Sequence, residues 1–241
     1  MTAVLPAAGK GTRMSAVSSG SKELLEVGGK PVLRWVLDEA AQAGAEPAVV
    51  VVSPTKADLA EFVRDSRCEA AIQEYATGLA PAVTLAAGLE PVLLLLPDTI
   101  FYPRSPAARL VRAISRGFDI AIAVEPVSDA DVSRYGIVEW ERESGRISRI
   151  LEKPLPNQTA SRWAIAGRLA LSARTMAFVK SRVAALAGSS GREIDLPPLV
   201  GEAISAGHSA LAVPLEPDER RLDCGNPDGY RAACEVVDAG F

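Results

Sequence analysis

Histidine is nearly absent from this chain, with His208 the single one in 241 residues. A mechanism that uses imidazole as general base or metal ligand is therefore not expected, and His208, in the turn Ala206-Gly-His-Ser209, reads as an exposed loop residue. Cysteine is scarce: Cys68, Cys224 and Cys234 make an odd count without metal-ligand spacing, which excludes a disulfide framework and points to buried thiols in a reducing cytoplasm. Long apolar runs are missing. The longest aliphatic stretch, Val92 to Leu96, is far short of the ~20 residues that span a bilayer. No basic segment precedes an apolar one at the N-terminus, so no signal peptide is expected. A basic excess is also lacking, since 26 Lys and Arg face 30 Asp and Glu for a net charge of −4. Electrostatic capture of nucleic acid or of an anionic membrane is excluded on that balance.

What is present is a core-forming composition, 48% hydrophobic and 23% charged, in a chain long enough to fold without staples. Val32, Leu33, Val36, Leu37 and Ala40 follow helical spacing, with Gly44 placed to end the helix. Ala48 to Val52, Val92 to Leu96 and Ile120 to Val124 are continuous apolar runs of the kind buried on both faces of a sheet. Helices are expected at Lys56 to Arg64, Leu79 to Gly88 and Ala107 to Ser115, and a short strand at Ala70 to Gln73. This alternation predicts an α/β fold with a parallel sheet covered on both faces. After about residue 130 the pattern changes. Strands at Gly136 to Trp140, Arg146 to Glu152 and Trp163 to Leu171 follow one another through loops, then helices near Ala173 to Leu186 and Glu193 to Ala206. A strand ending at Asp223 precedes a helix from Pro227, which Asn226 can cap.

Four places carry candidate chemistry. The turn Ala7-Ala-Gly-Lys-Gly-Thr12 follows a first strand at Val4-Leu5, and its glycines would let backbone N–H groups approach phosphate oxygens. It is neither a P-loop, because Val4 and Gly11 occupy required Gly and Ser/Thr positions, nor a dinucleotide fingerprint, because Met14 replaces the third glycine. Arg13 and Lys22 bracket the loop with positive charge, as a triphosphate requires, although solvated surface charges would look the same. Asp98 follows a buried strand at the edge where open α/β sheets bind ligands, and is either a metal ligand or a turn residue. Asp223 ends a late strand and could meet Asp98 on one Mg²⁺, or could cap a turn. Gly78 either admits a flat base or simply starts a helix.

Taken in order, the motifs resemble the sugar-phosphate nucleotidyltransferase family, most closely its glucose-1-phosphate uridylyl- and thymidylyltransferases. They are Pro6-Ala-Ala-Gly-Lys-Gly-Thr-Arg-Met14, Ser21-Lys-Glu-Leu-Leu-Glu-Val-Gly-Gly-Lys-Pro31, Gln73 with Gly78-Leu-Ala80, Leu96-Pro-Asp-Thr-Ile-Phe-Tyr102, Arg134-Tyr-Gly-Ile-Val-Glu139, Leu151-Glu-Lys-Pro154, Ala164-Ile-Ala-Gly167 and Asp223-Cys-Gly-Asn226. The resemblance implies a Rossmann-like mixed, mostly parallel sheet with helices on both faces and an inserted sugar-binding subdomain. It forms a single domain over residues 1–241, with a nucleotide half to about 130 and a sugar half from about 131. Ala8, Gly9, Gly11, Thr12 and Arg13 would hold the triphosphate and Lys22 would reach the reacting phosphates. Glu23, Gln73 and Gly78 would surround a pyrimidine. Gly136, Glu152, Lys153 and Arg162 would contact the sugar and its phosphate, and Asp98 and Asp223 would bind Mg²⁺. Arg13, Lys22, Asp98 and Lys153 would carry the chemistry. The partners implied are an NTP and a sugar 1-phosphate, with self-association compatible and a cytoplasmic setting expected.

The implied chemistry needs no histidine. A sugar 1-phosphate is largely dianionic near neutral pH, since its second pKa is about 6, so its oxygen can attack the α-phosphorus without a general base. The protein then supplies alignment and charge. Lys22-Glu23 resembles uridylyl enzymes, where thymidylyl enzymes tend to have Lys-Gln, while Gly78-Leu-Ala80 and Ile100-Phe-Tyr102 resemble the thymidylyl side; the balance favours UTP narrowly, with dTTP next. Two departures stand out. Ser21 replaces a proline usual before the lysine, and Arg162 or Trp163 stands where relatives present an asparagine to the sugar. Residue 241 falls soon after the Asp223 helix, so the extra helices some relatives use for assembly are expected to be absent. A cytidylyltransferase of isoprenoid precursor synthesis shares residues 7–14 and 29–33, but the Tyr135-Gly136, Glu152-Lys153-Pro154 and Asp223-Cys-Gly225 motifs argue against it. Retention of Lys22, Asp98 and Asp223 argues against a non-catalytic nucleotide-binding module, and Met14 against a Rossmann oxidoreductase.

Overall fold

The computed structural model describes residues 1–14, 17, 20–66, 68–187 and 193–240. Strands β1 (Thr2–Pro6), β2 (Glu26–Val27) and β3 (Lys30–Pro31) lead into helix α1 (Val32–Gln42). Then come β4 (Ala48–Val52), α2 (Ala57–Asp65), β5 (Glu69–Ile72), α3 (Leu79–Ala86), β6 (Val92–Leu95), β7 (Thr99–Pro103), α4 (Ala107–Ser115) and β8 (Ile120–Pro126). The second half runs β9 (Gly136–Trp140), β10 (Ile147–Glu152), β11 (Trp163–Leu171), α5 (Ala173–Leu186), α6 (Leu196–Ser205), β12 (Ala210–Pro214), β13 (Glu219–Asp223) and α7 (Pro227–Asp238).

The main sheet has the order β10-β9-β11-β6-β1-β4-β5, with β8 also pairing β11 and β12 lying beside β8. Pairs β6–β1, β1–β4, β4–β5 and β8–β12 are parallel, whereas β11 runs antiparallel to β6, β8 and β9. The strands of the second half thus continue the sheet of the first, because β11 hydrogen-bonds directly to β6.

Alternation along each strand sends neighbouring side chains to opposite faces. Val4, Val92, Leu94, Ile120 and Ile122 join the cluster packed against α3, α5 and α6. Ala3, Leu5, Leu93, Leu95 and Ala121 join the one under α1, α2 and α4. Both faces are covered, so these strands carry the unbroken apolar runs visible in the sequence. A smaller cluster of Val27, Val32, Ile100, Leu222, Cys224 and Ala233 seats α7 over the short β7–β13 and β2–β3 ribbons. Asn226 caps α7 by accepting from the Gly229 N–H at 2.9 Å.

Two sequence expectations change. His208 is buried, 7% exposed, because Thr175 of α5 hydrogen-bonds its Nδ1 at 2.9 Å and Phe178 meets the ring edge-on. Of the thiols expected to be buried, Cys224 is, while Cys68 and Cys234 are only partly so. No helix among the described residues is long and apolar enough to cross a membrane.

Candidate active site

The loops after β1, β4, β5 and β6 gather at the carboxyl ends of the parallel strands, the edge where open α/β sheets form crevices. The loop after β1 needs its second glycine: Gly11 has φ +65°, a conformation that disfavours a side chain. The Gly11 carbonyl accepts from Met14 N–H at 2.9 Å, closing a 3-10 turn over Thr12–Met14. Met14 is buried and anchors that turn, leaving Thr12 and Arg13 exposed.

Lys22 begins a second 3-10 turn, Lys22–Leu24. Its stem lies beside Gly11, with Cδ 3.7 Å from where a Cβ of that residue would stand. Its Nζ donates to Asp98 Oδ2. Asp98 sits between β6 and β7, and Asp223 is placed opposite because β13 pairs with β7, Asp223 facing Thr99. The two carboxylates converge over Gly225: a Cβ there would lie 2.8 Å from Asp98 Oδ2 and 3.0 Å from Asp223 Oδ1. Residues far apart in sequence thus meet as the motifs implied. Cys224, next after Asp223 in the chain, is buried, and burial and then the charges of Asp223 and Asp98 push its thiol up to about 12.

Glu23 is elsewhere than the sequence reading put it. Its side chain is 1% exposed, and both carboxylate oxygens accept from Lys56 Nζ at 2.9 and 3.0 Å. The same ammonium donates to the Ala7 carbonyl at 2.8 Å. Glu23 therefore braces the end of β1 through Lys56 and does not line the cavity that holds Gln73 and Gly78. Lys56 gave no signal in the sequence beyond being an ordinary helix-start lysine.

Ala8, Gly9, Gln73 and Gly78 line one cavity of about 240 Å³, together with Pro6, Leu79, Glu193 and Asp195. Gln73 Nε2 donates to Thr77 Oγ1 at 3.0 Å and to the Gly78 carbonyl at 3.2 Å, which orients the amide. Gly78 has φ +108°, and a Cβ there would overlap the backbone of Ile194. That contact is a hydrogen-bonded docking: Ile194 N–H donates to Thr77 O at 2.8 Å and Ala80 N–H to Ile194 O at 3.0 Å. Gly78 stands at the N-cap of α3 and borders the cavity.

A second cavity, of about 170 Å³, shares Leu79 with the first. Its walls include Leu96, Tyr135, Gly136, Glu152, Ile165 and Leu196. Glu152 Oε2 is buried without a hydrogen-bond partner among the described residues, while Oε1 lies 3.3 Å from Lys153 Nζ. A buried acceptor with nothing to accept is costly and marks a place for a donor. Gly136 leaves room for it, since a Cβ there would stand 3.1 Å from Oε2. Lys153 is held at φ +45° and is half exposed beside this carboxylate. Arg162 does not line the cavity. Its guanidinium binds Asp129 and the carbonyls of Thr159 and Ser161, stapling the loop before β11.

Two ion pairs that the sequence reading missed, one buried and one partly buried, lie near the centre. Arg168, fully buried, bonds Glu39 through Nε and Nη2, and also donates to the carbonyls of Leu96 and Thr99 on either side of Asp98. Arg221 bonds Glu125 and reaches the Tyr135 hydroxyl at 3.4 Å. Burial raises the Glu125 carboxyl above its ordinary value, Arg221 opposes this, and Asp223 adds repulsion. The signal available was an arginine inside an apolar strand, Arg168 within Trp163 to Leu171.

The crevice, its lysine and its two facing carboxylates define a nucleotide-handling α/β protein. The comparisons agree: the nucleotidyl transferase family model matches residues 2–237, and the chain belongs to that family. It is similar to UTP–glucose-1-phosphate uridylyltransferase YngB of Bacillus subtilis, 27% identical over 97% of this chain and 88% of that protein. It is also similar to UTP–glucose-1-phosphate uridylyltransferase 2 of Staphylococcus saprophyticus, 29% identical over 95% of this chain and 88% of that protein. In fold it matches a solved UDP-glucose pyrophosphorylase complexed with UDP-glucose, with a TM-score of 0.85 at 23% identity over 100% of this chain and 99% of that one.

Proposed function

We propose that this chain transfers a uridylyl group from UTP to a glucose-like hexose 1-phosphate, giving a UDP-hexose and pyrophosphate. One observation carries the reading: Lys22 pairs with Asp98 and Asp223 faces that carboxylate over Gly225, in a chain whose two cavities share Leu79. Lys22 lies against the glycine loop whose Gly9 lines the first cavity, and Asp98 follows Leu96, which lines the second. The first cavity takes the base, where the free Gln73 Oε1 can accept from a pyrimidine N3–H. The second takes the hexose, whose hydroxyl donates to the orphaned Glu152 Oε2. The names of the relatives support UTP; Glu23, spent on Lys56, does not.

The chemistry is a single displacement. An oxygen of the sugar phosphate forms a bond to the α-phosphorus of UTP, and the bond to the bridging oxygen breaks, releasing pyrophosphate with both electrons. Arg13 and Lys22 offset charge on the departing group, and Lys153 steers the incoming phosphate. Asp98 and Asp223 suit a hard divalent cation such as Mg²⁺, being two carboxylates on one small space over Gly225. Among the described residues no third His, Cys, Asp or Glu joins them, so phosphate oxygens and water would complete the shell. Such an ion would supply charge neutralisation at the phosphates. The test is pyrophosphate release with UTP, dTTP, CTP, GTP and ATP, each against glucose 1-phosphate. The expected kcat/KM is highest for UTP, with some use of dTTP, because one methyl discriminates by only ~1–3 kcal/mol. A preference for ATP or GTP would overturn the pyrimidine assignment.

A further inference from the structure

Lys22 is a flexible side chain on a turn of three residues, yet its Nζ must meet both Asp98 and a substrate phosphate. Short 3-10 turns do not hold themselves, so something outside Lys22–Leu24 must fix it. The start of α2 does so on both sides. Glu23 is tied to Lys56, one residue before α2. Ser21 is tied to Asp58, in the first turn of α2: its N–H donates to Oδ2 at 2.7 Å and its hydroxyl to Oδ1 at 2.8 Å. Asp58 Oδ1 also accepts from Leu59 N–H at 2.8 Å, which fixes the carboxylate on the helix. Ser21 is buried and extended, with φ −64° and ψ 124°. That φ is the one a proline ring imposes covalently. Two hydrogen bonds to one carboxylate here do what a ring would do.

Resting on the role proposed for Lys22, we infer that Asp58 is a positioning residue for the reaction: through Ser21 it locks the backbone from which Lys22 reaches Asp98. Asp58 touches neither cavity nor either carboxylate of the centre.

The inference predicts a specific failure of additivity. D58A should lower kcat about tenfold, with the KM for the sugar phosphate little changed. S21P should stay within about threefold of the parent, since the ring supplies the same φ. In the S21P background D58A should cost less than twofold, because the lock no longer passes through the carboxylate. Melting temperatures should fall with D58A in both backgrounds through the lost Leu59 contact, and further in the parent, where Ser21 also loses both acceptors. Equal kcat losses from D58A in both backgrounds would overturn the inference, as would an unchanged kcat in D58A alone. If S21P fails to fold, S21A gives a second cycle: S21A/D58A should be no slower than D58A, and a multiplicative loss would overturn the inference. K22A separates the two levels. An active K22A would sink the role of Lys22 itself, whereas an inactive K22A with additive cycles would sink only the role of Asp58.

Discussion

The unpaired oxygen of Glu152 gives the sharpest mutational prediction. In the free protein Oε2 is buried with no donor among the described residues, and Oε1 has only the half-exposed Lys153 at 3.3 Å. A sugar hydroxyl entering the 170 Å³ cavity would make a charge-assisted bond there. Such bonds are worth ~1.5–3 kcal/mol, against ~0.5–1.5 for neutral ones. Glu152→Gln keeps the shape and an acceptor but removes the charge, so the loss is ~1–1.5 kcal/mol, or roughly five- to fifteenfold. The KM for glucose 1-phosphate should rise by that factor at saturating UTP, while the KM for UTP at saturating sugar phosphate stays within about twofold. The melting temperature should not fall, because the substitution also removes an unsatisfied charged oxygen. Initial rates of pyrophosphate release, with each substrate varied in turn, decide the matter. Equal increases in both KM values, or a destabilised protein, would refute the reasoning and make Glu152 a structural residue.

Asp98→Asn and Asp223→Asn should each cut turnover by about 10²–10³-fold, the scale of losing one charge-stabilising group, with secondary structure by circular dichroism unchanged; near-normal rates of both in limiting Mg²⁺ would remove the shared-cation assignment. Lys56→Ala leaves Glu23 buried and unpaired, which costs ~3–5 kcal/mol and at ~2–4 °C per kcal/mol should lower the melting temperature by about 6–20 °C; a shift under 2 °C would show that the pair is not braced as described. Arg162→Ala should leave the sugar-phosphate KM within twofold, because its guanidinium is spent on Asp129, Thr159 and Ser161; a tenfold rise would return Arg162 to the sugar site. Burial first, then Arg174, holds His208 below its ordinary value of 6.5. The unfolded chain therefore takes up that proton first, and stability present above pH ~6.5 should decline as pH falls through the lower native value. His208→Gln should flatten that part of the stability curve in denaturant titrations, and an unchanged slope would exclude the histidine as its source.

Local patterns placed most elements of this fold within a few residues. The apolar runs of β4, β6 and β8 and the 3.6-residue period of α1 are statements about burial that need no partner to read. Four strands escaped, β2 and β3 being only two residues each. β7 begins directly after the Asp98 turn, and β12 is a five-residue run after the His208 turn, each short enough to pass for loop. In the site, Lys22, Asp98 and Asp223 lie together, Gly9 and Gln73 line one cavity, and Glu152 lines a second that shares Leu79 with the first. What could not be read was pairing at a distance. Glu23 looked available until Lys56 was seen against it. His208 looked exposed until α5 supplied Thr175. Arg162 looked like a sugar contact by its position between motifs, and its three partners are all in its own and a neighbouring loop. Each miss turns on a contact across the fold or within a folded loop, which no periodicity encodes.

The most direct test of the central claim follows the α-phosphorus. With α-labelled UTP, Mg²⁺ and glucose 1-phosphate, label should pass into a UDP-hexose one for one with pyrophosphate released. Without the sugar phosphate, labelled pyrophosphate should not exchange into UTP, because the displacement is direct and no side chain takes the uridylyl group. Exchange in the absence of sugar phosphate, or label that never reaches a nucleotide sugar, would contradict the account.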